Sequence, residues 1–431
     1  MKINLIAIIA VLVVGVLVTG SVLSGDITAK NEYNSFVAAA RKNAENDIPY
    51  TAIQNYKSAF EIDSSNEEVF IEYLEQTKLL NDDFYSAALT EYLSYFPESA
   101  NAYEVNCKYY YDDENYSKVI SLASESNKAK ATNENLKKYY YECFYKYRYI
   151  KTGCEEAGSF LGSSAIVKIG GKYGFIGQSG SYLLSPVYDK VDNFLGTGTG
   201  VCLDKEWFVI NSMGYKVAKP SAPVDYLGML SNNLMLVGKN GKYSYVSTSM
   251  ILPEQFNYDE ATNFKANVAA VKQGGKWGII GSDGKMITEF IYDDILIDEF
   301  NTCISNGVIF AKTNGKYIMI DAKGKRIGSL EFNDACSFVG TQPAAVCIDG
   351  KWGFVAADGT LAVEPKYTKA KSYNCGIAPV LVDGKWGYVD STGEMRIPAI
   401  FTDCLPFADC GIAAVNEEGS WNYIKLLGFY S

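Results

Sequence analysis

Histidine is absent from the chain. Ser-His and Cys-His nucleophile pairs are therefore excluded, as is every zinc site that needs imidazole. Three residue sets remain that could do chemistry. Aspartates recur at Asp189, Asp259, Asp293 and Asp403, and two carboxylates at the right separation hydrolyse glycosides. Gly-Lys pairs recur at Gly171-Lys172, Gly241-Lys242, Gly275-Lys276, Gly315-Lys316, Gly350-Lys351 and Gly384-Lys385, as in turns that cradle phosphate. Large aromatic residues follow these pairs, and flat rings stack on sugars.

Each set also has a structural reading. The aspartates return with one period, as turn residues do. Tyr or Trp follows every one of those Gly-Lys pairs, where a phosphate loop needs Ser or Thr for its metal. Rings flanked by glycine suit a packed core. The ten cysteines form no Cys-x-x-Cys and read as small buried apolar residues, although Cys404 and Cys410 are close in sequence. No Ca²⁺ loop of the Asp-x-Asp-x-Asp-Gly type occurs. No catalytic residue, cofactor site or metal site is predicted.

The elements that position these residues are copies of one unit. The aromatics stand at Tyr173, Trp207, Tyr243, Trp277, Tyr317, Trp352, Trp386 and Trp421, spaced by 34, 36, 34, 40, 35, 34 and 35 residues. Such a period marks a repeat architecture. Each unit opens on a strand such as Ala269–Val271 or Ala344–Val346. A tight turn follows, for which glycine supplies positive φ. The second strand starts with the aromatic, and glycine follows it at Gly174, Gly278, Gly353 and Gly387. That glycine leaves room for a neighbouring backbone or ring. A third strand ends near Pro-x-Tyr, as in Pro186–Asp189 and Pro365–Tyr367. Three short strands per unit predict an all-β array. The last copy stops near Ile424, one strand short.

Gly-Lys-Trp-Gly followed by Pro-x-Tyr-Asp resembles the WG-repeat family of bacterial proteins over about residues 160–425. The resemblance implies a repeat scaffold, often behind a membrane or secretion signal, with no single activity attached. Trp207, Tyr243, Tyr317 and Trp421 lack the following glycine, so the copies need not all bind alike. The array closes as a propeller-like ring or open spiral, or else stacks as a β-solenoid.

Residues 48–150 show helical spacing, as in Ala52, Tyr56, Ala59 and Phe60. Similar units near Ala88 and Val119 give spacings of 36 and 31, and the stretch resembles tetratricopeptide hairpins. Its tyrosines, including Tyr109–Tyr111, Tyr139–Tyr141, Tyr145, Tyr147 and Tyr149, either pack between helices or line a peptide groove. Residues 3–23 carry no charge and match the thickness of a bilayer core. They are predicted to be an uncleaved single-pass anchor, with the bulk of the chain outside the cytoplasm.

The sequence thus predicts a multi-domain chain: 1–25 a transmembrane helix or signal, 26–158 a helical tetratricopeptide-like domain, and 159–431 a WG-repeat β domain. The formal net charge of −11 argues against nucleic acid. The predicted function is a membrane-anchored, non-catalytic scaffold for protein partners. A cell-wall glycan bound through the aromatics is the alternative, and a carboxylate hydrolase the second.

Overall fold

The computed structural model describes residues 27–194 and 197–429. The chain divides into two compact units, one up to Cys143 and one from Phe144.

The first unit is helical. Residues 27–45 form α1. Then come α2 (Pro49–Ile62), α3 (Glu67–Leu80), α4 (Asp82–Tyr95), α5 (Ala100–Asp112), α6 (Tyr116–Lys128) and α7 (Glu134–Phe144). Side chains of Asn66, Asn81, Ser99 and Asn115 cap the N-termini of α3 to α6 by accepting a backbone N–H. From α2 to α6 each helix packs on the next, and Ala52, Tyr56, Phe70, Tyr73, Ala88 and Tyr92 form the core. Buried tyrosines reach carboxylates on neighbouring helices: Tyr56 donates to Glu72 at 2.9 Å, Tyr73 to Glu91 at 2.7 Å and Tyr92 to Glu67 at 2.7 Å.

The transmembrane helix expected over residues 3–23, and with it the single-pass membrane location, is not supported. Among the described residues no helix is long and apolar enough to cross a membrane, and residues 3–23 lie outside them. Helices α2 to α7 run 11 to 14 residues, about half to two-thirds of a bilayer span, and carry charges on their open faces.

The second unit is an eight-bladed β-propeller. Blades are numbered along the chain from Glu156. A complete blade has a two-residue inner strand, a central hairpin and a longer outer strand, as in Glu260–Ala261, Val268–Gln273, Lys276–Gly281 and Met286–Tyr292 of blade 4. Blade 3 lacks a regular outer strand, and blade 7 a regular inner one. All eight central hairpins turn through two consecutive residues of positive φ, for example Asn314-Gly315, Asp349-Gly350 and Asp383-Gly384. This is the turn whose twist suits antiparallel neighbours, and it accounts for the repeated glycine.

Blade 8 closes the ring. Its central hairpin, Ile412–Glu417 and Ser420–Leu426, takes its outer strand from the other end of the unit, Tyr147–Cys154. The pairing is antiparallel, with Tyr149 opposite Ile424 and Ile150 opposite Tyr423. The fold class is corrected accordingly: a helical unit and a closed eight-bladed ring, with no membrane helix among the described residues and neither the open spiral nor the solenoid. A solenoid would leave both ends apart, whereas here they share a sheet. Residues 147–154, placed on the helical side by the sequence reading, are part of this ring, and Tyr145, Tyr147 and Tyr149 go with them.

The glycine after the signature aromatic sits under the outer strand where the register slips. A Cβ on Gly353 would stand 2.6 Å from the Val363 carbonyl oxygen and 2.8 Å from the Pro365 nitrogen. A Cβ on Gly174 or Gly387 would meet backbone equally closely, and one on Gly278 would stand 3.0 Å from the Thr288 oxygen. Gly353→Ala should therefore destabilise the propeller by about 1–3 kcal/mol. Urea unfolding followed by tryptophan fluorescence measures this, and an unchanged midpoint would show that the outer strand is not held there.

Candidate functional site

The repeat residues face one another across the junctions between blades. Asp189 accepts from Lys172 Nζ of its own repeat and, on Oδ2, from the Asp204 amide in the next hairpin turn at 2.8 Å. Asp259 likewise joins Lys242 to the Gly274 amide, and Asp293 holds Lys276. The lysine hydrogen bond is the first reason these three carboxyls lie below the usual aspartate range. Asp403 differs. It stands one residue further on, in an inner strand, and accepts from Lys371 Nζ at 2.8 Å. The four acids therefore do not converge on one site.

The signature aromatics lie along the hairpins. Trp277 is 2% exposed, and Trp207, Tyr317 and Trp386 are also buried. Tyr173, Tyr243, Trp352 and Trp421 are half-buried. The lysine opposite in the hairpin covers several rings: Lys272 Nζ lies 5.5 Å from the Trp277 ring, Lys168 5.2 Å from Tyr173 and Lys312 5.0 Å from Tyr317.

The residue two places after the signature aromatic makes the junction itself, and the sequence reading did not single it out. Phe354 packs on Tyr373 of the next blade with ring centroids 4.4 Å apart, and Tyr388 on Phe407 at 4.9 Å. Tyr245, Tyr388 and Tyr423 donate their hydroxyls to the backbone carbonyls of Thr262, Leu405 and Gly158, at 2.8, 2.8 and 2.9 Å. The last of these joins blade 8 to blade 1. Alternation along the second strand was the available signal, since it puts this ring on the same side as the signature aromatic.

A loop of blade 5 crosses the central channel. The 40-residue spacing between Trp277 and Tyr317 exceeds the other spacings by four residues or more, and the extra length lies in the stretch around Ile297–Thr302. Its Glu299 Oε2 accepts from the Ser159 amide of blade 1 at 3.0 Å. Blades 1 and 5 are opposite in a ring of eight. On one side of the loop lies a polar cluster. Asn263 donates its amide N–H to the Asn301 carbonyl at 2.7 Å and its Nδ2 to Asp192 at 3.0 Å. Asp192 also accepts from the Tyr226 hydroxyl and, at 2.6 Å, from the Asn193 amide. On the other side lies a cavity of about 620 Å³, walled by blades 1, 4, 5, 6, 7 and 8. Its walls include Phe160, Phe338, Leu405 and Pro406 beside Lys265, Asp298, Glu299, Lys371 and Asp409. Among the described residues no cluster of His, Cys, Asp or Glu could hold a metal ion.

These observations meet in the sequence comparison. The family model described as WG containing repeat matches residues 173–196, 255–277, 277–317, 352–386 and 386–421. WG repeats are thus recognised at five places in the propeller. No curated protein matches the chain. Solved structures resemble it faintly. A structure titled as the eukaryotic initiation factor gives a TM-score of 0.42 at 11% identity, over 66% of this chain and 88% of that one. Kluyveromyces lactis Hsv2 gives 0.33 at 10%, over 61% and 94%. The Neurospora crassa Pan2 WD40 domain gives 0.30 at 10%, over 55% and 88%. At these values the likeness assigns nothing to this chain.

Asp192 is 6% exposed, and burial pushes its carboxyl above the ordinary aspartate value against the pull of the Tyr226 and Asn263 donors. The folded chain therefore holds this proton more tightly than the unfolded one. The stability it contributes is complete at pH below the unfolded value and declines as pH rises through the folded value. Asp192→Asn keeps an acceptor for Tyr226 and removes the charge. The difference in Tm between this variant and the native chain should become more positive from pH 4.5 to pH 8. A difference that stays flat or reverses in thermal melts would contradict this.

Proposed function

We propose that this protein is a non-catalytic binding scaffold whose WG-repeat propeller presents surfaces to protein partners. The observation that carries this reading is where the repeat chemistry goes. Most of the signature aromatics pack in clusters with residues of the next blade, as Trp207 does on Tyr226 with ring centroids 5.6 Å apart, and Asp189, Asp259 and Asp293 hold lysines and turns at the blade junctions. The repeated residues thus build the ring, and partner binding falls to what the ring displays. Tyr182, Leu183, Met213, Tyr215 and Val217 are each at least half exposed on the neighbouring outer edges of blades 1 and 2. An exposed apolar group of this kind suits a protein partner.

The glycan alternative needs rings open to solvent on several copies, and none of the eight signature rings is exposed. The hydrolase alternative needs two free facing carboxylates. Of the cavity acids, Asp298 already accepts from Phe300 N, Thr302 N and Thr302 Oγ1 of its own loop. Net charge continues to argue against nucleic acid.

Affinity capture on the immobilised full chain, compared with the double variant Tyr215→Lys and Val217→Lys, tests this proposal. A protein retained in stoichiometric amount should drop by about tenfold or more on the variant, and a glycan array should stay blank. Glycan binding without any retained protein would reverse the assignment.

A further inference from the structure

The carboxylates of the channel cavity are not equivalent. Both oxygens of Asp298 are engaged by its own loop, and Oδ2 lies 3.5 Å from Lys265 Nζ. Asp409 Oδ1 accepts from Asn374 Nδ2 at 2.8 Å. Glu299 Oε2 accepts from the Ser159 amide at 3.0 Å, and Ser159 supplies the protein hydrogen bonds to this carboxylate found among the described residues. The second cavity lysine is committed elsewhere. Lys371 Nζ donates to Asp403 Oδ1 at 2.8 Å and to the Cys404 carbonyl at 2.7 Å, and stands 4.9 Å from the Trp386 ring.

Glu299 is exposed, and its loop carries it across the ring to a place where protein lies on several sides. That confinement, with Asp298 adjacent, holds its carboxyl above the ordinary glutamate value against the Ser159 hydrogen bonds and the Lys371 charge. No lysine or arginine reaches ion-pair distance of this carboxylate among the described residues, since Lys265 and Lys371 pair with Asp298 and Asp403. Apolar surface flanks it at Phe160, Ile297, Phe338, Leu405 and Pro406.

We propose that this cavity is a receptor for a primary ammonium on an apolar stem, the ammonium seated on the Glu299 carboxylate and the stem against Phe160, Phe338 and Leu405. A guanidinium fits less well. Its fork pairs with both oxygens of a carboxylate, and Oε2 is already held by Ser159. A cavity of about 620 Å³ accommodates a free alkyl or aryl amine, or the lysine side chain of a partner. The proposal deepens the binding reading and rests on it only where the amine belongs to a protein.

Calorimetric titration of the full chain tests it, with hexylamine, hexanol, butylguanidinium and an acetylated apolar peptide carrying one central lysine as probes. Hexylamine should bind at least about tenfold tighter than hexanol or butylguanidinium. Glu299→Gln keeps the acceptor for Ser159 and removes the charge, so it should lose that tenfold preference. Ser337→Lys places a competing ammonium on the cavity wall and should lose binding in the same way, which provides a second test should Glu299→Gln fail to fold. A peptide tighter than hexylamine places the amine on a partner protein, and the reverse order places it on a small molecule. Both orders agree with the proposal. It is overturned if hexylamine binds no better than hexanol, or if either folded variant binds it unchanged. The titration needs no protein partner, so a failed capture leaves it standing, and its own failure leaves the outer-edge surface untouched.

Discussion

The pairing of Tyr147–Cys154 with Ser420–Leu426 is the constraint on which the propeller depends. Each blade buries apolar faces only against its two neighbours, so an open arc would leave a face bare at either end. Closure removes both faces at once. It seats Tyr423 against Phe160 with ring centroids 5.4 Å apart and gives the Tyr423 hydroxyl to the Gly158 carbonyl. Tyr388 and Tyr245 make the same hydroxyl contact with their next blades. The closing junction is thus chemically like the others, and only its chain order is different. Its price is a contact between strands more than 260 residues apart in sequence, made against the entropy of closing a long loop.

Ring closure also creates the one place where several blades meet. Inner strands end at the axis, and the residues that follow them differ from blade to blade: Asp192, Thr262-Asn263, Cys336 and Leu405-Pro406, with Lys371-Ser372 at the matching place in blade 7. The repeat is therefore uniform where blades pack and varied where they face the channel. The blade 5 loop divides that channel into a closed polar cluster and an apolar-walled cavity. This division of labour links the motif to binding: recurring residues hold the shape, and unique residues carry recognition.

Much of the ring was legible in the sequence, because the signals that carry it are local. The aromatic period reports the unit, and the paired positive-φ residues at Asn314-Gly315 or Asp383-Gly384 report the hairpin turn. The closing strand was not legible. Tyr147–Cys154 has no Gly-Lys-aromatic signature, and its partner lies at the far end of the chain. Asp403 read as one of four equivalent acids because it too follows an aromatic, but a one-residue offset in a strand moves a side chain to the other face. That offset sends it to Lys371 instead of a turn lysine. The 40-residue spacing was visible as an anomaly, yet nothing local shows that the added residues cross to blade 1. The uncharged run at residues 3–23 read as a membrane helix from composition alone, and no described helix has that character.

Hydrogen exchange on the full chain, read by mass spectrometry, tests the central claim most directly. Backbone amides of residues 147–150 should be protected as strongly as those of 412–417 and 420–426, because all three segments share one sheet. If 147–150 exchanges at the rate of a free chain while the other blades stay protected, the ring is not closed by this strand and the account fails.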